Sequence, residues 1–188
     1  MKEIMQTKTA GLQKNLTLLG VAALVIVLDQ ISKAYVKAHL ALNSSWMPLE
    51  WLAPMMRFTH IKNTGAAFGF FQNANLVLGI LAVIIVGVLI VFYQKVHIEE
   101  KLARVALGMQ VGGAIGNLID RVLDGHVTDF ISVGSFPIFN IADSAVTVGV
   151  GLLLLAIYLQ ERKQKHLDGV ETEAANQPED SSENRHDG

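Results

Sequence analysis

The chain has 188 residues, of which 51% are hydrophobic and only 17% charged, and its formal net charge is -2. With a mean hydropathy of +0.39, and with its apolar residues gathered into blocks long enough to cross a bilayer, this composition excludes an ordinary water-soluble domain. The absence of cysteine excludes disulfides, thiolate metal sites and a cysteine nucleophile.

Lys2, Lys8 and Lys14 precede the first apolar run, which has the outward form of a secretory signal. The run continues into Asp29 and Lys33 rather than a small-residue cleavage site, so residues 16–35 are predicted to form the first transmembrane helix. Asp29 and Lys33 lie four apart on one helix face, where they can pair. Ionisable groups in hydrocarbon cost at least ~2.5 kcal/mol each, so they are either paired for structure or functional.

The loop from 36 to 73 holds Trp46 and Trp51, which suit a membrane interface, and Met56 to Ile61 alternates apolar and polar residues as a short strand does. A small β-rich cradle resting on the outer leaflet is predicted there. Gly65 and Gly69 flank residues 66–68 and suit hinges or rigid turns equally.

A second helix is predicted over 74–93 and a third over 102–123. In the third, Gly108, Gly112 and Gly116 form a stripe of small residues that lets a neighbouring helix approach closely. Asn117, Asp120 and Arg121 follow it. Arg121 cannot lose its proton and needs a partner, for which Asp120 is the economical choice, while Asn117 and Arg121 suit donors pointing into a site.

The fourth helix is predicted over 144–159. Basic clusters at the N-terminus, at Lys95, Lys101 and Arg104, and at Arg162, Lys163 and Lys165 all fall on one side of this topology, whereas Val122 to Ile141 carries no Lys or Arg. Both termini are therefore predicted to be cytoplasmic. Lys37, Arg57 and Lys62 in the first outer loop run against that bias. Residues 1–166 form the membrane domain, and 167–188 form an acidic, polar tail that cannot offset its ordering entropy and is predicted to be disordered.

Asp129 and Asp143 stand at the two ends of the loop between helices three and four. If residues 131–138 fold back, with bends at Gly134 and Pro137, the two carboxylates converge and share one proton. One can then act as general base on water while the other polarises a carbonyl, the chemistry of an aspartic peptidase. Spacing alone equally fits Asp143 as a cap of helix four and Asp129 as a turn residue.

Five motifs occur in order: Asp29-Gln30-Ile31-Ser32-Lys33, Asn63-Thr64-Gly65-Ala66-Ala67-Phe68, Gly113-Ala114-Ile115-Gly116-Asn117-Leu118-Ile119-Asp120-Arg121, Val127-Thr128-Asp129-Phe130 and Phe139-Asn140-Ile141-Ala142-Asp143. On them the chain resembles the lipoprotein signal peptidases, the type II signal peptidases of bacteria. The resemblance implies an all-α membrane fold of four transmembrane helices with the extracytoplasmic β-rich cradle in the first loop. It implies an aspartic endopeptidase of the inner membrane that cuts prolipoproteins before the diacylglyceryl-modified cysteine, near the outer face.

It further implies that Asp129 and Asp143 are the catalytic pair. Asn63, Asn117, Arg121 and Asn140 match residues that bind substrate or support the dyad, and Asp29, Lys33 and Asp120 match structural polar positions. No metal or other cofactor is implied, in keeping with the lack of a His-Glu-x-x-His pattern, and His126 is an ordinary loop residue. The partners implied are prolipoprotein and membrane lipid, not nucleic acid, for a monomeric enzyme. The rival is a small transporter or channel whose buried charges line an ion path.

Overall fold

The structure, a computed structural model, describes residues 2–65, 75–95 and 101–175, and the side chains of 15–65, 75–91 and 101–169. The expectations for Gly69 as a hinge and for 176–188 as a disordered tail lie outside the described residues. Four helices are present: α1 (Lys2–His39), α2 (Asn75–Lys95), α3 (Lys101–Leu123) and α4 (Ile141–Ala175). Among the described residues, Asn15–His39, Lys101–Leu123 and Ile141–Gly169 are long and apolar enough to cross a membrane, and Asn75–Val91 is a shorter apolar helix.

α1 and α4 are longer than their apolar windows, because the flanking Lys, Gln and Glu residues are good helix formers that carry the helix on past the hydrophobic stretch. The 38 residues of α1 would span about 57 Å, well beyond a hydrocarbon layer of about 30 Å. α4 continues past His166 to Ala175, so the first part of the acidic tail is helical.

The bundle is built inside out relative to a soluble protein. Leu76, Val77, Val88, Leu154 and many other large apolar side chains point outward, as a lipid solvent permits. The centre is filled by small residues, among them Ala103, Ala106, Ala142 and Ala156, and by polar ones. α3 lies at the middle and packs against α1, α2 and α4. A Cβ at Gly108 would lie 2.8 Å from the Leu18 carbonyl oxygen and one at Gly112 would lie 2.7 Å from that of Ala22, so the predicted stripe is the seam with α1. Gly113 makes the equivalent approach to the Ala142 backbone on α4.

At one end of the bundle, β1 (Ser45–Trp46), β2 (Met56–Asn63) and β3 (Val127–Val133) form an antiparallel sheet in the order β1-β2-β3. The first loop therefore does not build the cradle alone, since its third strand comes from the loop between α3 and α4. Val127, Phe130 and Ile131 give that segment the β-branched and aromatic content of a strand.

The register matters. Phe58 pairs with Ile131 and Ile61 with Asp129, so Thr59 and His60 together oppose Phe130 alone. This bulge inserts one residue and reverses the side-chain alternation of β2. Ile61 and Asn63 thereby take the face that Phe58 holds, and without the extra residue Lys62 would stand where Asn63 does.

The glycine seam sets one expected outcome. Gly112→Val forces α1 and α3 apart and should lower stability by about 1–3 kcal/mol. Gly20→Ala, where nothing lies within 4 Å, should be neutral or slightly stabilising. Thermal unfolding of the two purified variants in detergent measures the contrast.

Candidate active site

After β3, Gly134 adopts a left-handed φ of 51°, a conformation for which glycine carries no steric penalty. Its N–H donates to the Met55 carbonyl at 2.8 Å. The chain then folds back, and the carbonyl of Phe139 accepts from the N–H groups of Phe130 at 3.0 Å and Ile131 at 2.7 Å. This return sets Asn140, and so the first turn of α4, beside Asp129.

Asn140 then performs two tasks. As the residue preceding α4, its Oδ1 accepts from the Asp143 N–H at 2.9 Å, while Asp143 Oδ2 accepts from the Asn140 N–H at 3.2 Å. That is a reciprocal capping box. With its oxygen so engaged, the amide must turn Nδ2 outward, where it donates to Asp129 Oδ1 at 2.7 Å. Asp143 thus caps α4, and the same residue, Asn140, bonds both carboxylates, so the fold-back brings the two aspartates to one place.

The other asparagines complete the shell. Asn63 donates to Asp129 Oδ2 at 2.7 Å, its own oxygen fixed by the Gly65 N–H at 2.9 Å. Asn117 donates to Asp143 Oδ1 at 2.7 Å. Among the described residues every donor to the two carboxylates is neutral, so neither is locked there as an ion pair. Asp129 is 3% exposed, and burial, opposed by the Asn63 and Asn140 bonds and reinforced by the nearby charge of Asp143, pushes its carboxyl up to about 6.

Asp29, Lys33 and Asp120 form a separate buried cluster, with Lys33 Nζ at 2.8 Å from Asp29 and 3.0 Å from Asp120. The expected pairing of Asp29 with Lys33 is present, but Asp120 does not partner Arg121. Successive helix residues do not face each other, and Asp120 turns inward while Arg121 points toward α2. Arg121 donates from Nη1 to the Asn117 carbonyl at 3.3 Å. It lines two largely apolar cavities beside α2, of about 420 Å³ with Asn75, Ile80 and Leu118, and about 180 Å³ with Leu78, Asn117 and Val146.

Gln30 was given no role by the sequence reading, yet its Nε2 bridges Asp120, Asp29 and the Gly116 carbonyl. A polar side chain amid an apolar helix, next to Asp29, was the available signal. Lys37, which ran against the charge rule, is paired with Asp124 at 2.8 Å.

The family model described as Signal peptidase (SPase) II matches residues 21–159. The chain is 44% identical over 146 residues to the lipoprotein signal peptidase of Shouchella clausii, covering 77% of this chain and 95% of that one. It is 39% identical over 148 residues to that of Brevibacillus brevis, covering 77% and 97% respectively. A bacterial membrane enzyme solved by the in meso method at 2.3 Å resolution superposes with a TM-score of 0.71 at 33% identity, over 79% of this chain and 91% of that one.

The raised pKa has a stability consequence. Between its ordinary value of 3.8 and about 6, folded Asp129 holds a proton that the unfolded chain has released. Its contribution therefore declines as pH rises through that window, by on the order of 3 kcal/mol, and is constant above it. The melting temperature should fall from pH 4 to 6 more steeply in the wild type than in Asp129→Asn, and the two should run parallel above pH 7. A pH series of melts in detergent checks this.

Proposed function

Since the chain belongs to the signal peptidase II family of membrane aspartic peptidases, we propose that Asp129 and Asp143 are its catalytic pair and that they cut prolipoproteins before the diacylglyceryl-modified cysteine. One observation carries the assignment: the two carboxylates meet across Asn140, held by neutral amides and without a cation partner among the described residues. A pair so held shares a proton.

The chemistry follows from the two environments. Asp129, the more deeply buried, carries the shared proton and polarises the scissile carbonyl. Asp143, partly exposed and held by Asn117 and the Asn140 N–H, takes a proton from the attacking water. No acyl-enzyme forms. The proton then passes to the leaving amine as the tetrahedral intermediate collapses. Asn63, Asn117 and Asn140 keep both carboxylates in line, and Arg121 supplies donors toward the peptide backbone from the edge of the α2 clefts.

The chain crosses the membrane four times, with both termini cytoplasmic and the dyad at the outer boundary. The basic flanks and the cation-free segment between α3 and α4 support this orientation. A lipid-anchored substrate holds its scissile bond at fixed depth, so membrane position selects the bond and supplies much of the orientation. The transporter reading finds no support among relatives that are peptidases by name.

Asp129→Asn and Asp143→Asn should each reduce cleavage by roughly 10²–10⁴ or more, with helix content unchanged. Purified protein incubated with a diacylglyceryl-modified prolipoprotein, followed by release of the signal peptide, measures this. Substantial turnover by either variant would rule the pair out.

A further inference from the structure

The buried cluster of Asp29, Lys33 and Asp120 reaches the dyad at three points. Lys33 is 1% exposed, Asp29 0% and Asp120 1%. An ammonium has three donors, and Lys33 commits them to Asp29 Oδ2, Asp120 Oδ2 and Asn117 Oδ1, the last at 2.9 Å. Each carboxylate then accepts one distant backbone N–H, Asp29 from Ala142 at 2.9 Å and Asp120 from Thr128 at 3.0 Å. Ala142 immediately precedes Asp143, and Thr128 immediately precedes Asp129. Gln30 closes the set by bridging both carboxylates, and a Cβ at position 116 would lie 2.7 Å from Asp29 Oδ2, so Gly116 makes room for it.

We infer that the Asp29–Lys33–Asp120 cluster is a positioning device for the catalytic pair, and that Lys33 acts on Asp143 through the amide of Asn117. The inference rests on the assignment of Asp129 and Asp143 as that pair. Stability alone is a poor reason for the cluster, because a buried ion group is commonly matched or exceeded by apolar residues of the same volume. Its three outward contacts instead fix the backbone one residue before each aspartate and the orientation of one amide. With Lys33 on its oxygen, Asn117 must present Nδ2 to Asp143. Without Lys33, the oxygen of that amide keeps only the 3.1 Å bond from Asn140 Nδ2, and its grip on Asp143 is weakened.

The triple variant Asp29→Asn/Lys33→Met/Asp120→Asn removes all three charges yet keeps an amide oxygen for the Ala142 and Thr128 N–H groups. It should fold with wild-type helix content and melt cooperatively. Its kcat should fall at least about tenfold with KM within about twofold, and the pH midpoint of kcat should move. Asp120→Ala leaves Asp29 and Lys33 balanced in charge but removes the grip on Thr128 together with the Lys33 and Gln30 contacts, so kcat should fall by a similar factor, and Asp120→Asn should recover most of the loss.

Wild-type kcat and pH dependence in the triple variant would overturn the inference. So would failure of that variant to fold, or activity that simply tracks melting temperature across all three variants, either of which makes the cluster a folding element. Activity surviving in Asp129→Asn or Asp143→Asn instead removes the catalytic assignment, whatever the cluster variants do.

Discussion

The amide of Asn140 is the contact on which the site depends. Its oxygen is used by the capping box that starts α4, and that engagement leaves its nitrogen to hold Asp129. The N-cap of α4 and the placement of Asp129 therefore share one side chain. A chain that begins α4 elsewhere leaves the helix N-terminus uncapped and Asp129 with the Asn63 amide but not that of Asn140. The preceding turn at Gly134 and the return to Phe139 serve the same end, since they bring Asn140 to β3 at a fixed distance.

Lipid as solvent explains why so much polarity lies inside. Outward apolar side chains cost nothing in hydrocarbon, whereas each interior polar group must be satisfied by another part of the protein. The glycines of α3 make that possible. They bring α1 and α4 close enough that Asp29 reaches the Ala142 N–H and Gln30 reaches the Gly116 carbonyl. Close packing and polar satisfaction are here the same structural requirement.

Hydrophobic blocks long enough to span a bilayer made the helices legible in the sequence, and the glycine stripe pointed to a close seam. The helix ends were not legible, because the apolar window stops where lipid stops while helix propensity continues through Lys and Glu. Asp129 and Asp143 were visible as loop carboxylates and the bends at Gly134 and Pro137 as a candidate fold-back, but the bonds from Phe130 and Ile131 to the Phe139 carbonyl that fix their convergence have no local signature. The bulge at Thr59 and His60, which brings Asn63 rather than Lys62 to the dyad, has no local signature, since it exists only relative to β3. The partner of Arg121 was misjudged for a simpler reason: adjacency in sequence was read as adjacency in space, which a helix does not provide.

Four aspartates lie within one polar region, and their surroundings divide them into two kinds. Asp29 and Asp120 share an ammonium, accept backbone N–H groups and are sealed from solvent. Both are held by a full cation and have no route to water. Asp129 and Asp143 receive donors of comparable length, but all from neutral amides or backbone, and Asp143 is partly open. With no cation bonded to either among the described residues, the shared proton proposed above is the least costly way to relieve their repulsion. On the proposed assignment, the same side chain serves as a fixed strut in one pair and a proton carrier in the other. What separates the two roles is the place of Lys33, the one buried lysine among the described residues.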